Sequence, residues 1–565
     1  MVDNARNQID KLINNAFEKA RAAGELPGGA PIFGAVEIPR ESSLGDFAAT
    51  HALAAARVLK LAPVKIANAL ASRIELEGSY FSSKSIAGPG FINFTLSGKW
   101  YGEALRTVEI MGSGYGAVDI GKNKRVMVEF VSANPTGPMT IGNARGGVLG
   151  DTLASILQRA GYDVWREFYV NDSGNQVELF GKSIDARYMQ LCLGKENYEF
   201  PEDGYRGDDI KDLAAIIFER EGDKLTSLPA GERAARFTAF ALPYNIELMK
   251  KHLERYRISF DEWFCESTLH DSGYVSETVS LLEKNGLLYE KDGALWLRNK
   301  ELGADKDEVL RRANGFYTYY AADIAYHRNK LARGFDRVVD VWGADHHGHA
   351  IRMKASLTSP LLGKSLGVDG GKLDFLIMQM VRLTRDGETV KVSKRTGKAL
   401  TLNDLLDEIS VDACRFFFNA KPDSHLEFDL GLAVRQDNEN PVYYVQYAHA
   451  RICSLIAILE AEGYKMPKYE EIAPELLSSE METEVIKQIA LYPEEIKLAA
   501  RDYDPSRINK YLIELAARFH RFYSVCRVKG ERQDLLLARL KLAGTVRAVI
   551  KNGLDILGVT APEKM

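Results

Sequence analysis

The stretch from Arg125 to Gln176 restricts the folds open to this chain more than any other. Arg125 to Val131 is a run of β-branched and aromatic residues that predicts a buried strand. A loop with Pro135, Gly137, Pro138 and Gly142 follows, and a helical pattern begins near Asn143. Leu149, Leu153, Ile156 and Ala160 fall on one apolar face of that helix, and Gly161 sits where a C-terminal cap is expected. Asp163 to Val170 predicts a second strand. Strand, loop, helix and strand form a βαβ unit, with a right-handed crossover expected. The loop then lies at the carboxyl end of a parallel strand and the amino end of a helix, where a nucleotide's phosphates are favoured. Neither G-x-G-x-x-G nor G-x-x-x-x-G-K-[ST] is present, so the dinucleotide fingerprint and the P-loop are both excluded.

A chain of 565 residues predicts three or four domains of ordinary size, about 150 residues each. No apolar run approaches the ~20 residues that a membrane-spanning helix needs, and no basic-plus-apolar leader opens the chain. Cys192, Cys265, Cys414, Cys453 and Cys526 are scattered without a C-x-x-C pair, which argues against a cysteine-framed metal site and for free thiols in a reducing cytosol. The net charge is −5, so any nucleic-acid binding must come from a local patch. The region up to about Tyr115 reads as a small α+β domain. In it Phe47 to Leu70 is helical, Pro63 starts a second helix, and Phe91 to Leu96 alternates like a half-exposed strand. Between Gln176 and Lys300 the β/α alternation lapses into charged helices with no recognisable chemistry, as in an insertion. It resumes with Ala294–Arg298, Arg337–His347 and Phe375–Met380.

Two further stretches carry chemistry. Gln379 to Ser393 predicts a hairpin around Asp386-Gly387, leading into Lys391-Val392-Ser393-Lys394, whose ammonium groups suit charge that builds on transferring phosphates. Asp323 follows Tyr319 by one helical turn, and Glu129 and Asn134 lie in the opening strand and loop. Such carboxylates and amide carbonyls match the five donors of a guanidinium. Gly343-Ala344-Asp345-His346-His347 ends a strand, and no third metal ligand accompanies the histidine pair. Farther on, Tyr444, Tyr447 and Arg451 share a helical face that could stack on unpaired bases. From Pro505 to Lys551 eleven Lys/Arg stand against three Asp/Glu, a basic footprint that the overall charge hides.

Pro138-Met139-Thr140-Ile141-Gly142-Asn143 resembles the H-I-G-H signature of class I aminoacyl-tRNA synthetases, with both histidines replaced, as in the tryptophan-specific relatives. Lys391-Val392-Ser393-Lys394 resembles their K-M-S-K signature. The flanks of the first signature, L-G-D-F-A, A-G-P-G-F-I-N-F, D-Y-D-P-S-R and F-H-R-F-Y resemble the arginyl-tRNA synthetases. The resemblance implies an α/β fold: a class I Rossmann-like catalytic domain at 116–425, interrupted at about 177–300. It also implies a small α+β tRNA-contacting domain at 1–115 and an all-α anticodon-binding bundle at 426–565. It implies the ligation of arginine to tRNA(Arg) through arginyl-adenylate, with ATP as substrate and Mg²⁺ accompanying it, by a cytoplasmic monomer with no metal held by its own side chains.

The residues carried over are Thr140, Gly142, Asn143, Lys391, Ser393 and Lys394 for catalysis, and Glu129, Ser132, Asn134, Tyr319 and Asp323 for arginine. Gly137, Gly142, Asn143, Asp345, His346 and Lys394 are implied for ATP, and Tyr444, Tyr447 and Arg451 are expected at the tRNA. Thr140 and Asn143 are expected to act as neutral hydrogen-bond donors to ATP. A non-catalytic tRNA-binding relative, or a class I synthetase for another amino acid, remains as an alternative.

Overall fold

The computed structural model describes residues 1–28, 31–194, 198–385, 387–390, 400–422 and 424–565, without the side chains of Ser42 and Asp345. The chain opens with helix α1 (Val2–Ala22), strands β1 (Val36–Glu37) and β2 (Phe47–Ala49), helices α2 (His51–Leu59) and α3 (Pro63–Arg73), strands β3 (Phe81–Ala87) and β4 (Phe91–Leu96), and helix α4 (Gly98–Met111). The four strands form an antiparallel sheet in the order β1-β2-β4-β3. The half-exposed strand expected at Phe91–Leu96 is instead a central one. Ile92, Asn93, Phe94 and Leu96 are all buried, because β4 is paired on both edges and helices pack on it.

The region that follows is built on β5 (Arg125–Glu129), α5 (Ile141–Arg159) and β6 (Asp163–Val170). Strand β5 ends two residues earlier than its composition predicts, because Val131 and Ser132 both take positive φ, 68° and 40°. That conformation is strained for a β-branched residue, and it turns the chain sharply at the strand's carboxyl end. Helix α5 is buried almost all round, pressed between this sheet and the carboxyl-terminal helices. A Cβ on Gly150 would come within 2.2 Å of the Phe130 ring, so only glycine permits that approach.

Helices α6 (Asn175–Leu193), α7 (Asp208–Glu221) and α8 (Ala230–Arg255) follow and bury their own apolar cluster around Phe180, Tyr188 and Phe237. The segment expected to be a pure insertion then returns to the main sheet. Strand β7 (Glu262–Cys265) pairs in parallel with β6, and short α9 (Ser267–Asp271) and α10 (Tyr274–Lys284) succeed it. Strands β8 (Leu288–Lys291), β9 (Ala294–Leu297) and β10 (Glu308–Arg311) form a separate antiparallel meander. The run Ala294–Arg298, read as a return of the β/α pattern, therefore belongs to this side sheet; a short apolar run does not reveal which sheet takes it up. Helix α11 (Tyr319–Ala332), β11 (Arg337–Gly343), α12 (His347–Thr358), α13 (Pro360–Leu366) and β12 (Leu373–Met378) complete a five-stranded parallel sheet in the order β12-β11-β5-β6-β7. The chain reverses its winding between β5 and β11, and the crevice outside the carboxyl ends of such strands is where ligands bind in folds of this kind.

Strand β13 (Val381–Arg385) forms the expected hairpin with β14 (Glu388–Thr389). After α14 (Leu402–Glu408) and α15 (Val411–Phe418), β15 (Leu426–Asp429) pairs in parallel with β13. Short α16 (Leu430–Ala433) leads into a bundle of four long helices: α17 (Pro441–Ala461), α18 (Glu480–Asp502), α19 (Ser506–Val525) and α20 (Gln533–Leu557). Ile508, Leu512, Leu515, Phe519 and Phe522 of α19 form its buried stripe. Arg415 joins bundle and sheet. Its guanidinium donates to the Leu557 carbonyl at 2.6 Å, to the carbonyls of Tyr256 and Arg257 at 3.1 and 3.2 Å, and to Asp151 of α5 at 2.5 Å.

Candidate active site

A cleft of about 1430 Å³ opens at the carboxyl ends of β5 and β11. Glu129, Ser132, Asn134, Gly137, Thr140, Gly142, Asn143, Tyr319, Asp323 and His346 all line it. Lys391, Ser393 and Lys394 lie outside the described residues, as does the side chain of Asp345. The chain on the far side of that segment is fixed against the first signature. Thr401 forms an antiparallel bridge with Thr140, and the Leu402 amide donates to the Met139 carbonyl at 2.9 Å.

Thr140 and Asn143 cap α5 reciprocally. Asn143 Oδ1 accepts from the Thr140 amide at 2.9 Å and from its hydroxyl at 2.8 Å, and Thr140 Oγ1 accepts from the Asn143 amide at 3.3 Å. This capping box satisfies backbone amides at the start of α5 without histidines. The Thr140 hydroxyl proton is directed at Asn143, against the expectation that this hydroxyl donates to ATP. Arg145, one turn on, donates to the Gln379 carbonyl at 2.5 Å and the Met380 carbonyl at 3.2 Å. It thereby joins α5 to the chain entering the hairpin of β13.

The other end of the cleft collects negative charge. Glu129, Asp323 and Glu266 are each buried, at 4%, 3% and 5% exposure. Ser132 Oγ, aimed by the positive φ at its own position, donates to Glu129 at 2.6 Å and accepts from the Tyr169 amide at 3.2 Å. His349 Nε2 lies 2.6 Å from Asp323, its ring stacked at 5.6 Å on Trp342. Tyr169 and Ser173 donate to Glu266 at 2.7 and 2.8 Å, and His270 approaches it at 3.3 Å. Burial would push Glu266 up, but the hydrogen bonds from His270, Tyr169 and Ser173 outweigh it and hold the carboxyl low. The same bond to Glu266 raises His270. The Asp323 carboxylate, and then burial, push the Tyr319 hydroxyl far up, so it remains a neutral donor.

Glu129 behaves differently. Burial pushes it above the usual carboxylate range, and Lys330 offsets this only in part because that lysine also serves Asp340. A cationic ligand would favour the ionised form of Glu129, so a proton competes with it. Arginine's KM is therefore expected to stay level at high pH and to rise as the pH falls through the raised range in which Glu129 takes up its proton, by at most about tenfold per unit. Steady-state charging over that range checks this, and a flat profile would remove Glu129 from the ligand's contacts.

Sequence reasoning missed Tyr169, Glu266, His270, Trp342 and His349. Glu266 and His270 fall in the supposed insertion, and only the pairing of β7 with β6 brings them to the cleft. At the bundle, the rings of Tyr443 and Tyr447 stack at 6.0 Å, and the Arg451 guanidinium lies 4.3 Å from the Tyr523 ring centroid. Tyr444 leans instead on His520, at 4.8 Å. The basic footprint of Pro505–Lys551 is also largely met by acids from elsewhere: Arg507 by Glu495, Arg518 by Glu484, Arg539 by Glu482 and Lys541 by Glu109. A count along the chain does not see carboxylates contributed by other helices.

Three family models divide the chain: Arginyl tRNA synthetase N terminal domain over residues 7–96, tRNA synthetases class I (R), catalytic domain over 108–430, and DALR anticodon binding domain over 445–565. Arginine--tRNA ligase of Acetivibrio thermocellus is 50% identical over 567 residues, and that of Caldanaerobacter subterraneus is also 50% identical, each alignment covering 100% of both chains. A solved structure described as a putative arginyl t-RNA synthetase from Campylobacter jejuni superposes with a TM-score of 0.75 at 35% identity, over 83% of this chain and 100% of that one. The Thermus thermophilus arginyl-tRNA synthetase shares the fold at a TM-score of 0.73 and 22% identity, over 99% of this chain and 100% of that one. With class I catalytic geometry at its centre and relatives matching it from end to end, this chain belongs to the arginyl-tRNA synthetase family.

Proposed function

We propose that the cleft joins arginine to ATP and then passes the arginyl group to the 3′-terminal ribose of tRNA(Arg). One observation carries the assignment of the site: three buried carboxylates, Glu129, Asp323 and Glu266, converge in the cleft that opens at the start of α5. A cation pocket beside an anion-binding helix end suits a cationic amino acid meeting a nucleotide triphosphate. The guanidinium lies against Asp323, Glu129 and the Tyr319 hydroxyl, with Ser132 and Asn134 beside it. The α-carboxylate oxygen of arginine attacks the α-phosphorus of ATP, an O–P bond forms, and pyrophosphate leaves with its bonding electrons. The amides at the start of α5, with Gly137, Gly142 and the Asn143 side chain, bind the phosphates, and Asp345 and His346 hold the adenosine. Lys391, Ser393 and Lys394 meet charge developing on the leaving pyrophosphate, a placement supported by the bridge between Thr401 and Thr140. Mg²⁺ enters with the ATP phosphates. Tyr443, Tyr447 and Arg451 present stacked rings and a cation to unpaired tRNA bases, with Tyr444 behind them. The enzyme works as a monomer in the cytosol, where its five free cysteines stay reduced.

Pyrophosphate exchange into ATP, run with each amino acid in turn and with tRNA present, tests this reading. Exchange with arginine alone is expected. No exchange with any amino acid would leave a tRNA-binding protein, and exchange with another would reassign the pocket.

Asn143→Ala, which loses a cap and a bond of about 1.5–3 kcal/mol to a charged ligand, is expected to slow that exchange by roughly one to two decades, and Thr140→Ala, which loses a cap and the bond that orients Asn143, by about one decade. Restoring both histidines is expected to keep the rate within about a decade, because backbone geometry at Pro138 and Gly142 sets the loop. Parent-like rates in both alanine variants would make the loop scaffold only.

A further inference from the structure

Arginine and ATP account for only part of the cleft's lining. The turn that leads from β10 into α11 also lines it, through Arg312, Asn314, Gly315 and Phe316, and joining the two small substrates gives these residues no task. The turn is closed by hydrogen bonds at every step. Arg311 and Tyr317 form an antiparallel bridge at its stem, and the Arg312 amide donates to the Phe316 carbonyl at 2.9 Å. At the tip the Gly315 amide, at φ +86°, donates to the Arg312 carbonyl at 2.9 Å, and Asn314 Oδ1 accepts from the Phe316 amide at 3.2 Å. Just beyond, Thr318 donates to the Val309 carbonyl through its hydroxyl at 2.6 Å and to the Leu310 carbonyl through its amide at 2.9 Å. Helix α11, with Tyr319 in its first turn, therefore starts from fixed backbone.

On this frame the next residue, Tyr317, packs against the apolar cluster beneath, whereas Phe316 is 71% exposed. A single exposed apolar side chain on an open surface needs no explanation. This ring instead borders a reaction cleft, three residues ahead of Tyr319, on a turn whose first residue is an exposed arginine. The helical excursion between β6 and β7 contributes Gln176, Tyr205, Gly207 and Asp209 to the same lining, and Gln176 accepts from the Asn134 amide at 3.0 Å. The cleft thus extends past the arginine and ATP positions into a space bordered by polar groups, a cation and an open aromatic face.

A third reactant has to enter there. The 3′ end of a tRNA is single-stranded, and proteins hold such unpaired bases by stacking them on aromatic rings beside cations. We propose that Phe316 is the stacking platform for the terminal base of the tRNA 3′ end, fixed on its turn so that the attached ribose enters the cleft next to the bound arginyl group. Phe316 is a binding residue for the third substrate. The inference rests on the reading of this cleft as the site that charges tRNA(Arg), which pyrophosphate exchange by the parent protein decides separately.

Equilibrium binding of tRNA(Arg) to the full chain, at one fixed salt concentration, tests it with two RNAs: intact tRNA(Arg) and the same tRNA lacking its 3′-terminal nucleotide. Phe316→Ala is expected to weaken the intact tRNA by roughly tenfold, as the loss of one base–aromatic stack does, and to leave the shortened tRNA unaffected. Phe316→Trp, which restores an aromatic face, is expected to bind intact tRNA as the parent does, and Phe316→Leu to behave like the alanine variant. The side chain is exposed, so these substitutions leave the fold in place. Equal effects of Phe316→Ala on the two RNAs, no effect on either, or parental affinity in Phe316→Leu overturns the proposal. A raised KM for ATP with both tRNA affinities unchanged overturns it as well, by giving the ring to the nucleotide. If the stacking results hold while the parent exchanges no pyrophosphate, Phe316 stands as a tRNA contact and the ligase reading has failed.

Discussion

Asp323→Ala is expected to raise the arginine KM by two decades or more while leaving the protein folded. Asp323 is 3% exposed, and its carboxylate faces the cleft with His349 beside it. A buried guanidinium that loses its carboxylate forfeits about 3–5 kcal/mol, which corresponds to more than two decades in affinity. The side chain caps no helix, and its removal unburdens a site already crowded with negative charge, so thermal stability should hold or rise. Asp323→Asn keeps the shape and one acceptor, and is expected to fall between parent and alanine. An arginine KM within about twofold of the parent, measured by exchange at saturating tRNA, would place the guanidinium elsewhere.

The largest effect on stability is expected at Arg415→Ala. This guanidinium is fully buried and holds four segments at once: α5 through Asp151, the end of α8 through the Tyr256 and Arg257 carbonyls, the end of α20 through Leu557, and its own helix α15. Gly558, at φ +65°, exists as glycine for the same contact, since a Cβ there would stand 2.4 Å from the guanidinium. Truncation strands three carbonyls and leaves Asp151 with Arg166 alone, at 3.3 Å, a loss of about 3–5 kcal/mol, which translates into a Tm lower by on the order of 5–10 °C. Lysine cannot reproduce the planar fork and should recover little. Scanning calorimetry decides the matter, and a Tm within about 2 °C of the parent would show that the bundle is held to the sheet by apolar packing alone. A double variant with Asp151→Asn should cost less than the two singles together, because both singles remove the same pair between Arg415 and Asp151.

The parts of this molecule legible in the sequence were those written in local rules. The βαβ unit at Arg125–Val170 follows from periodicity and turn residues, and the hairpin at β13 and β14 from Asp386-Gly387. The residues near Pro138 and on the Tyr319 turn that line the cleft each sit beside a local signal. What stayed hidden depends on register and on distant pairing. Glu129, Glu167 and Asp340 become neighbours only once three strands are aligned. Glu266 reaches the cleft only because β7 returns to the sheet after a long helical excursion. The early end of β5 was hidden for another reason: valine's strand preference yields at Val131 to a backbone turned for the site.

The reciprocal cap at Thr140 and Asn143 also bears on how a lineage moves between spellings of this loop. Each side chain satisfies the other residue's backbone amide and the two side chains bond to each other, so replacing one of them removes that shared bond and half of the box beside the nucleotide site. Neighbours coupled in this way deviate from additivity by about 0.5–3 kcal/mol. Either single change is then a step downhill in fitness even where the two-residue change is neutral. The pair is inherited as one letter: a Thr-Asn loop and a His-His loop are two stable spellings separated by poor intermediates, and passage between them calls for both codons to change together or for a population small enough to tolerate the dip.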